Sequence, residues 1–257
     1  MKLPSSYANY AHCMVITNDN KLMTFGGNHE DGKQSYELSK DIWQKQNPLT
    51  KPRFMAVAVT MTDGIYCFGG FDNSCTSDFL PNGKSVWQAG PAVPGPGIEN
   101  GHGVAISPTE LLLVGGLQTK DKILKYNIEG KAWTYVGELL QGRWNHRCYF
   151  YHGKLIVTGG FNGEYLNSTE IINVSNGTSK RAGNLNVRRV GHGMGIIQRN
   201  GKSNLIVFGG YNKDGLYNDS VEEWDDISQI WKETRMKLSE SKGYFGYCQI
   251  PQSKIQI

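Results

Sequence analysis

The chain has 257 residues, 39% of them hydrophobic, with a formal net charge of +4. That length and apolar content suffice for one large all-β domain, and 32 glycines with 13 tyrosines favour short strands and tight turns over long helices. No apolar run reaches the ~18 residues of a membrane span, the first residues lack the apolar core of a signal peptide, and no Lys/Arg run tracks phosphates, so neither a membrane nor a nucleic acid is the expected partner.

The predicted elements come in groups of four short strands. The first group has AHCMVIT, then KLMTFGG, then strands marked by Tyr36 and Trp43. MAVAVT, GIYCFGG, Leu80 and Trp87 form the second; HGVAIS, ELLLVGG, Tyr126 and Trp133 the third. The fourth has HRCYFY, KLIVTGG, Ile172 and, where the others carry Trp, Ser179, so a looser outer strand is expected there. The fifth has HGMGII, NLIVFGG, Trp224 and Trp231. Each second strand ends in a glycine pair: Gly26-Gly27, Gly69-Gly70, Gly115-Gly116, Gly159-Gly160 and Gly209-Gly210, with first-glycine spacings of 43, 46, 44 and 50. A period in the forties marks a repeat architecture. Turn dipeptides such as Asp63-Gly64, Asn82-Gly83 and Asn200-Gly201 separate the strands. Repeats are placed at 8–50, 51–93, 98–141, 143–187 and 189–238 of a single domain spanning 1–257. Met1-Lys2-Leu3 parallels Met236-Lys237-Leu238, and YFGYCQI within 243–250 reads as the inner strand of a sixth repeat. The chain therefore reads as cut from a six-bladed ring; the alternative is a five-unit ring in which the last strand adds to or replaces the first.

Gly-Gly after an apolar strand, then an aromatic, then Trp seven residues on, resembles the kelch repeat over nearly the whole chain. The resemblance implies an all-β propeller of four-stranded antiparallel blades around a central channel, here five full repeats plus the inner strand of a sixth. One blade cannot bury both faces alone, so stacked blades share a core.

With strands alternating up and down, the second-to-third and fourth-to-first connections share one face, which the resemblance implies is the binding surface. The fourth-to-first connections bring Lys51, Arg53, Arg143, Trp144, Asn145, Arg188, Arg189, Lys242 and Tyr244. The longer loops add His29, Asp31, Phe71, Asp72, Asn73, Phe161, Asn162, Tyr165, Tyr211 and Asn212. Arg, Trp and Tyr dominate protein interfaces, and a guanidinium suits a carboxylate or phosphate, so a protein partner with an acidic segment is expected. The competing reading is that arginines in repeat-equivalent positions brace the loops. His12, His102, His146 and His192 open first strands at 14, 13, 13 and 17 residues before their glycine pairs and read as repeat residues rather than metal ligands. Cys13, Cys148 and Cys248 read as small buried residues in a shared register. Cys67 and Cys75 are the one local pair that could bridge. No catalytic group, metal site or cofactor is expected.

Three function classes follow. The first is a non-catalytic protein-interaction module or scaffold. The second is the substrate-recognition part of a BTB-kelch-like ubiquitin-ligase adaptor. The third is an enzyme like the galactose-oxidase-like or sialic acid epimerase-like members of the fold. A cytoplasmic location is expected, an extracellular one only with a signal peptide upstream. Four Asn-x-Ser/Thr sequons, from Asn167, Asn173, Asn176 and Asn218, do not establish secretion. Oligomeric state is not legible.

Overall fold

A computed structural model describes residues 11–28, 31–199, 201–246 and 248. Among the described residues, twenty strands form five four-stranded antiparallel sheets. The first blade holds β1 (Cys13–Ile16), β2 (Leu22–Phe25), β3 (Ser35–Ser39) and β4 (Ile42–Lys45). The second holds β5 (Val57–Met61), β6 (Gly64–Phe68), β7 (Ser77–Pro81) and β8 (Gln88–Ala89). The third holds β9 (His102–Ala105), β10 (Glu110–Gly116), β11 (Lys120–Asn127) and β12 (Ala132–Glu138). The fourth holds β13 (Arg147–Tyr151), β14 (Lys154–Thr158), β15 (Thr169–Asn173) and β16 (Thr178–Ala182). The fifth holds β17 (Gly193–Arg199), β18 (Lys202–Phe208), β19 (Ser220–Asp225) and β20 (Ile230–Lys237). Each sheet is a meander with its strands in chain order.

The first strands contact one another from blade to blade and wall a central channel. The apolar second strands lie next; β2, β6, β10 and β14 are buried along nearly their whole length, and β18 over Leu205–Val207. Four clusters of buried side chains fill the seams between successive blades. In one, Phe68 meets both Tyr126 and Trp133 edge to face, with Phe68 and Trp133 centroids 5.6 Å apart. Burying a side chain such as Phe68 is worth roughly 1.5–3 kcal/mol, and the ring geometry adds to it.

The glycine pairs act at these seams. Gly159 and Gly160 have φ of 63° and 94°. A Cβ on Gly159 would lie 2.6 Å from the Arg189 carbonyl oxygen, and one on Gly160 would lie 2.8 Å from His146 Cβ. Only glycine accepts both the backbone angle and the approach. The second glycine of every pair donates its N–H to the next connection: Gly27 to Arg53, Gly70 to Ile98, Gly116 to Arg143, Gly160 to Arg189 and Gly210 to Lys242, over 2.7–3.0 Å.

A second set of backbone bonds circles the channel mouth. Met55 N–H donates to Ala11, Asn100 to Met55, Asn145 to Asn100, Gly191 to Asn145, Tyr244 to Gly191 and Ala11 to Tyr244. All six residues have φ between 53° and 59°. The ring thus has six members although the described strands form five blades. The sixth member comes from the segment after β20, which also stacks Phe245 on Phe208 at 5.9 Å and lays Gly246 against His12. The extra strand expected at 243–250 is not seen in its described residues, 243–246 and 248, which belong to no strand. Its other residues, and the Met1-Lys2-Leu3 parallel, lie outside the described ones.

The outer strand of the fourth blade is not the loose one. β16 pairs with β15 over five residues, and Ser179 donates its hydroxyl to the Glu138 carbonyl of the third blade. The short outer strand is β8, two residues that pair only with Asp78 and Phe79; β7 ends in Pro81, which has no N–H to extend the ladder.

Candidate functional site

The second-to-third and fourth-to-first connections share one end of the ring, as the bridges between Trp144 and Phe161 and between Val190 and Tyr211 show. Three arginines expected to present themselves there turn inward. Arg53, Arg143 and Arg189 have 0–1% of their surface exposed. Arg143 donates to the Gly159 and Ser168 carbonyls and to Glu170 at 2.6 Å. Arg189 repeats the pattern on Gly209, Ser220 and Glu222, and Arg53 on Gly69, Thr76 and Asp78. The carboxylates also cap the preceding connection: Glu170 accepts from the Leu140 and Gln141 N–H groups, and Glu222 from those of Asn186 and Val187. A buried charge must be matched in this way. These arginines brace loops and cannot meet a partner, which corrects their assignment to the binding set. The third blade has Ile98 at the equivalent place.

What the face does present is aromatic. Trp144 meets Phe161 at 5.4 Å, Phe161 meets Tyr165 at 5.2 Å, Tyr165 meets Tyr211 at 6.0 Å and Tyr211 meets Tyr217 at 5.4 Å. This ladder of five rings crosses the fourth and fifth blades. Phe71, Leu117, Phe161 and Tyr211 each follow a glycine pair, so the loops repeat an apolar residue around the mouth. Phe71 is 54% exposed and Leu216, next to Tyr217, 62%. Arg188 is half-buried and donates to the Tyr165 carbonyl at 2.5 Å. Asn145 and Tyr244 belong to the backbone ring. Asn212 holds its own loop, accepting from the Asp214 and Leu216 N–H groups. His29 lies outside the described residues. Of the tryptophans expected to be structural, Trp87 and Trp231 are buried, and Trp43 and Trp133 are half-buried.

Below the mouth lies a cavity of about 620 Å³. His102, Arg147, Cys148 and Tyr149 line it, with Cys13 and Cys248. The strand ladders revise the register expected for the histidines. His102 pairs with Val114 and Arg147 with Thr158, so His102 corresponds to Arg147 and not to His146. One extra residue in the β9–β10 turn hides this shift. Cys13, opposite Phe25, and Cys148, opposite Val157, likewise sit one step apart.

Burial drives the pKa of His102, His146 and His192 well below the ordinary 6.5, and Arg147 adds to each. His102 Nδ1 lies 3.2 Å from Cys148 Sγ, but burial pushes that thiol up, so the pair is imidazole and thiol rather than an activated thiolate. Cys67 is buried, Cys75 exposed, and both are free thiols, so the disulfide considered for them is not formed. Among the described residues no group of three or more His, Cys, Asp or Glu side chains could hold a metal ion. The sequence reading passed over Arg147 and Tyr217. Arg147 had a signal, since the equivalent first-strand position is Cys13, Val57, His102 or Gly193 elsewhere.

No family model matches this sequence. It is similar to Kelch-like protein 15 of Mus musculus, 21% identical over 208 residues that cover 78% of this chain and 29% of that protein. Kelch-like protein 23 of Homo sapiens is 28% identical over 183 residues, 65% of this chain and 32% of its own length. Kelch repeat protein M-T8 of Myxoma virus (strain Lausanne) is 24% identical over 214 residues, 77% and 40% respectively. The chain thus matches less than half the length of these relatives.

Proposed function

The chain is a kelch-repeat β-propeller, and from that premise we propose that it is a non-catalytic protein-interaction module whose partner binds on the loop face over the fourth and fifth blades. The observation that carries this reading is the ring ladder from Trp144 to Tyr217. Tyr and Trp supply large contact area at low entropic cost and dominate interface energetics. A contiguous aromatic patch of this kind marks an interaction site. An acidic segment remains the partner chemistry we favour, although three of the arginines first held to recognise it are already matched by carboxylates. The neutral His102–Cys148 pair supports the non-catalytic reading. Free thiols at all five cysteines support a cytoplasmic location.

The test is retention of proteins by the immobilised chain, compared with a Trp144→Ala/Tyr211→Ala variant and with Ile227→Ser at the opposite end. Losing such anchors costs about 2 kcal/mol each, roughly thirty-fold in affinity. A partner retained by wild type and by Ile227→Ser but lost by the double variant supports the reading. Equal retention by all three overturns it.

A second reading, the recognition part of a BTB-kelch-like ubiquitin-ligase adaptor, draws on the length of the relatives beyond the matched region. The transcript upstream of Met1 tests it: a frame encoding a BTB-type domain supports it, and a stop codon in frame removes it.

A further inference from the structure

Four acidic side chains are buried among the described residues: Asp78, Glu99, Glu170 and Glu222. Three of them hold an arginine, namely Arg53, Arg143 and Arg189. Glu99 is 5% exposed and forms no ion pair among the described residues. Its donors are two side-chain amides, Gln118 at 2.7 Å and the adjacent Asn100 at 3.5 Å. Burying a carboxylate against neutral amides leaves much of its dehydration cost unmatched.

The place of Glu99 follows from the backbone bonds of the loop face. The Phe54 carbonyl accepts from Phe71, Glu99 from Leu117, Trp144 from Phe161 and Val190 from Tyr211, each over 2.8 Å. Glu99 therefore occupies a position that other repeats fill with Phe54, Trp144 or Val190, so the fold does not need a charge there. Around the mouth it stands between Phe54 and Trp144, because Asn100 bonds to Met55 on one side and to Asn145 on the other. Leu117 and Gln118, the two residues bonded to it from the next loop, are themselves exposed. Gln118 is thus a surface side chain whose amide meets a buried carboxylate.

We propose that Glu99 receives one basic side chain of the bound partner, an arginine or lysine that displaces the Gln118 amide and lies beside Phe54 and Trp144. The site rests on the interaction-module reading, and it adds a contact opposite in charge to the acidic segment. It abuts the Trp144 end of the aromatic ladder, so a peptide crossing that ladder reaches it. A charge-assisted bond to the carboxylate is stronger than the neutral amide bond it replaces. Arginine suits the site better than lysine, because its planar fork bonds a carboxylate through two N–H groups and stacks on aromatic faces. A metal ion is a poorer match, since among the described residues no group of three His, Cys, Asp or Glu side chains could hold one.

The test selects random twelve-residue phage-displayed peptides on the full chain, then measures synthetic versions on wild type, Glu99→Gln and Trp144→Ala chains of known thermal midpoint. Selected peptides are expected to share an Arg or Lys. Glu99→Gln, which keeps the shape of the side chain, then weakens them about ten- to hundred-fold, the worth of a bond to a charged group. Replacing the peptide's arginine by citrulline, its neutral isostere, has the same effect, and combining both changes adds little. Basic peptides that bind Glu99→Gln as tightly as wild type overturn the proposal. Selected peptides without Arg or Lys overturn it too; the module still stands if Trp144→Ala abolishes their binding and falls if it does not. Selection of no peptide removes site and module together. If Glu99→Gln does not fold, Glu99→Asp, whose carboxylate is drawn back by one carbon, decides by the same comparison.

Discussion

The Arg189 guanidinium makes five hydrogen bonds within its own blade and reaches no solvent. Its neighbour Arg188 is half-buried and donates instead to the Tyr165 carbonyl. Arg189→Met should therefore strand Glu222 and cost about 3–5 kcal/mol, as breaking a buried ion pair does. Arg188→Glu should change stability by less than about 1 kcal/mol. Urea unfolding of the two variants checks this; similar midpoints would show that the clamp carries no stability. Which of two adjacent arginines turns inward was not legible. The carboxylate partners Asp78, Glu170 and Glu222 lie 25, 27 and 33 residues after their arginines, because the loops between differ in length and blur the spacing.

At the scale of elements, the sequence placed the strands well. Each glycine pair closes an apolar strand flush with a seam, and that chemistry is local. Register within the first strands was less legible, since one added residue in the β9–β10 turn puts His102 where the adjacent blades have Val57 and Arg147. His102 in β9 and the buried His146 and His192, just before β13 and β17, also set a pH response. The unfolded chain takes protons on them near pH 6.5, and the folded chain does so only at lower pH. Stability should be level above about pH 7 and fall below 6.5, because the unfolded state binds more protons there. His102, His146 and His192 together allow a slope of up to roughly 4 kcal/mol per pH unit. His192→Gln should remove about a third of it. Unfolding midpoints measured between pH 5 and 8 for both proteins test this, and parallel curves would refute it. The Gly159→Ala change, with a Cβ 2.6 Å from a carbonyl oxygen, should cost at least 1–3 kcal/mol by the same measurement.

For the whole molecule, periodicity revealed the ring but not how it shuts. The expectation of a sixth inner strand came from YFGYCQI, whose described residues supply a ring member and a seam filler without forming a strand. Closing a ring is a long-range event that no local pattern records. A chain ending after Leu238 should keep its five blades and lose the Tyr244 link. Hydrogen exchange at β1 and β17 should then rise while β10 and β14 stay protected. Unchanged exchange at β1 would show that the link does nothing.

That link joins Ala11 to Tyr244 at 3.4 Å, the longest of the six. Every other member connects neighbouring repeats, whereas this one spans almost the whole polypeptide. Contacts of such separation form late, because the chain between them must first be ordered. Blades made of local hairpins can fold one after another as they leave the ribosome. The shutting contact has to wait for the fifth of them, so the slowest phase of refolding should be the one in which Tyr244 finds Ala11.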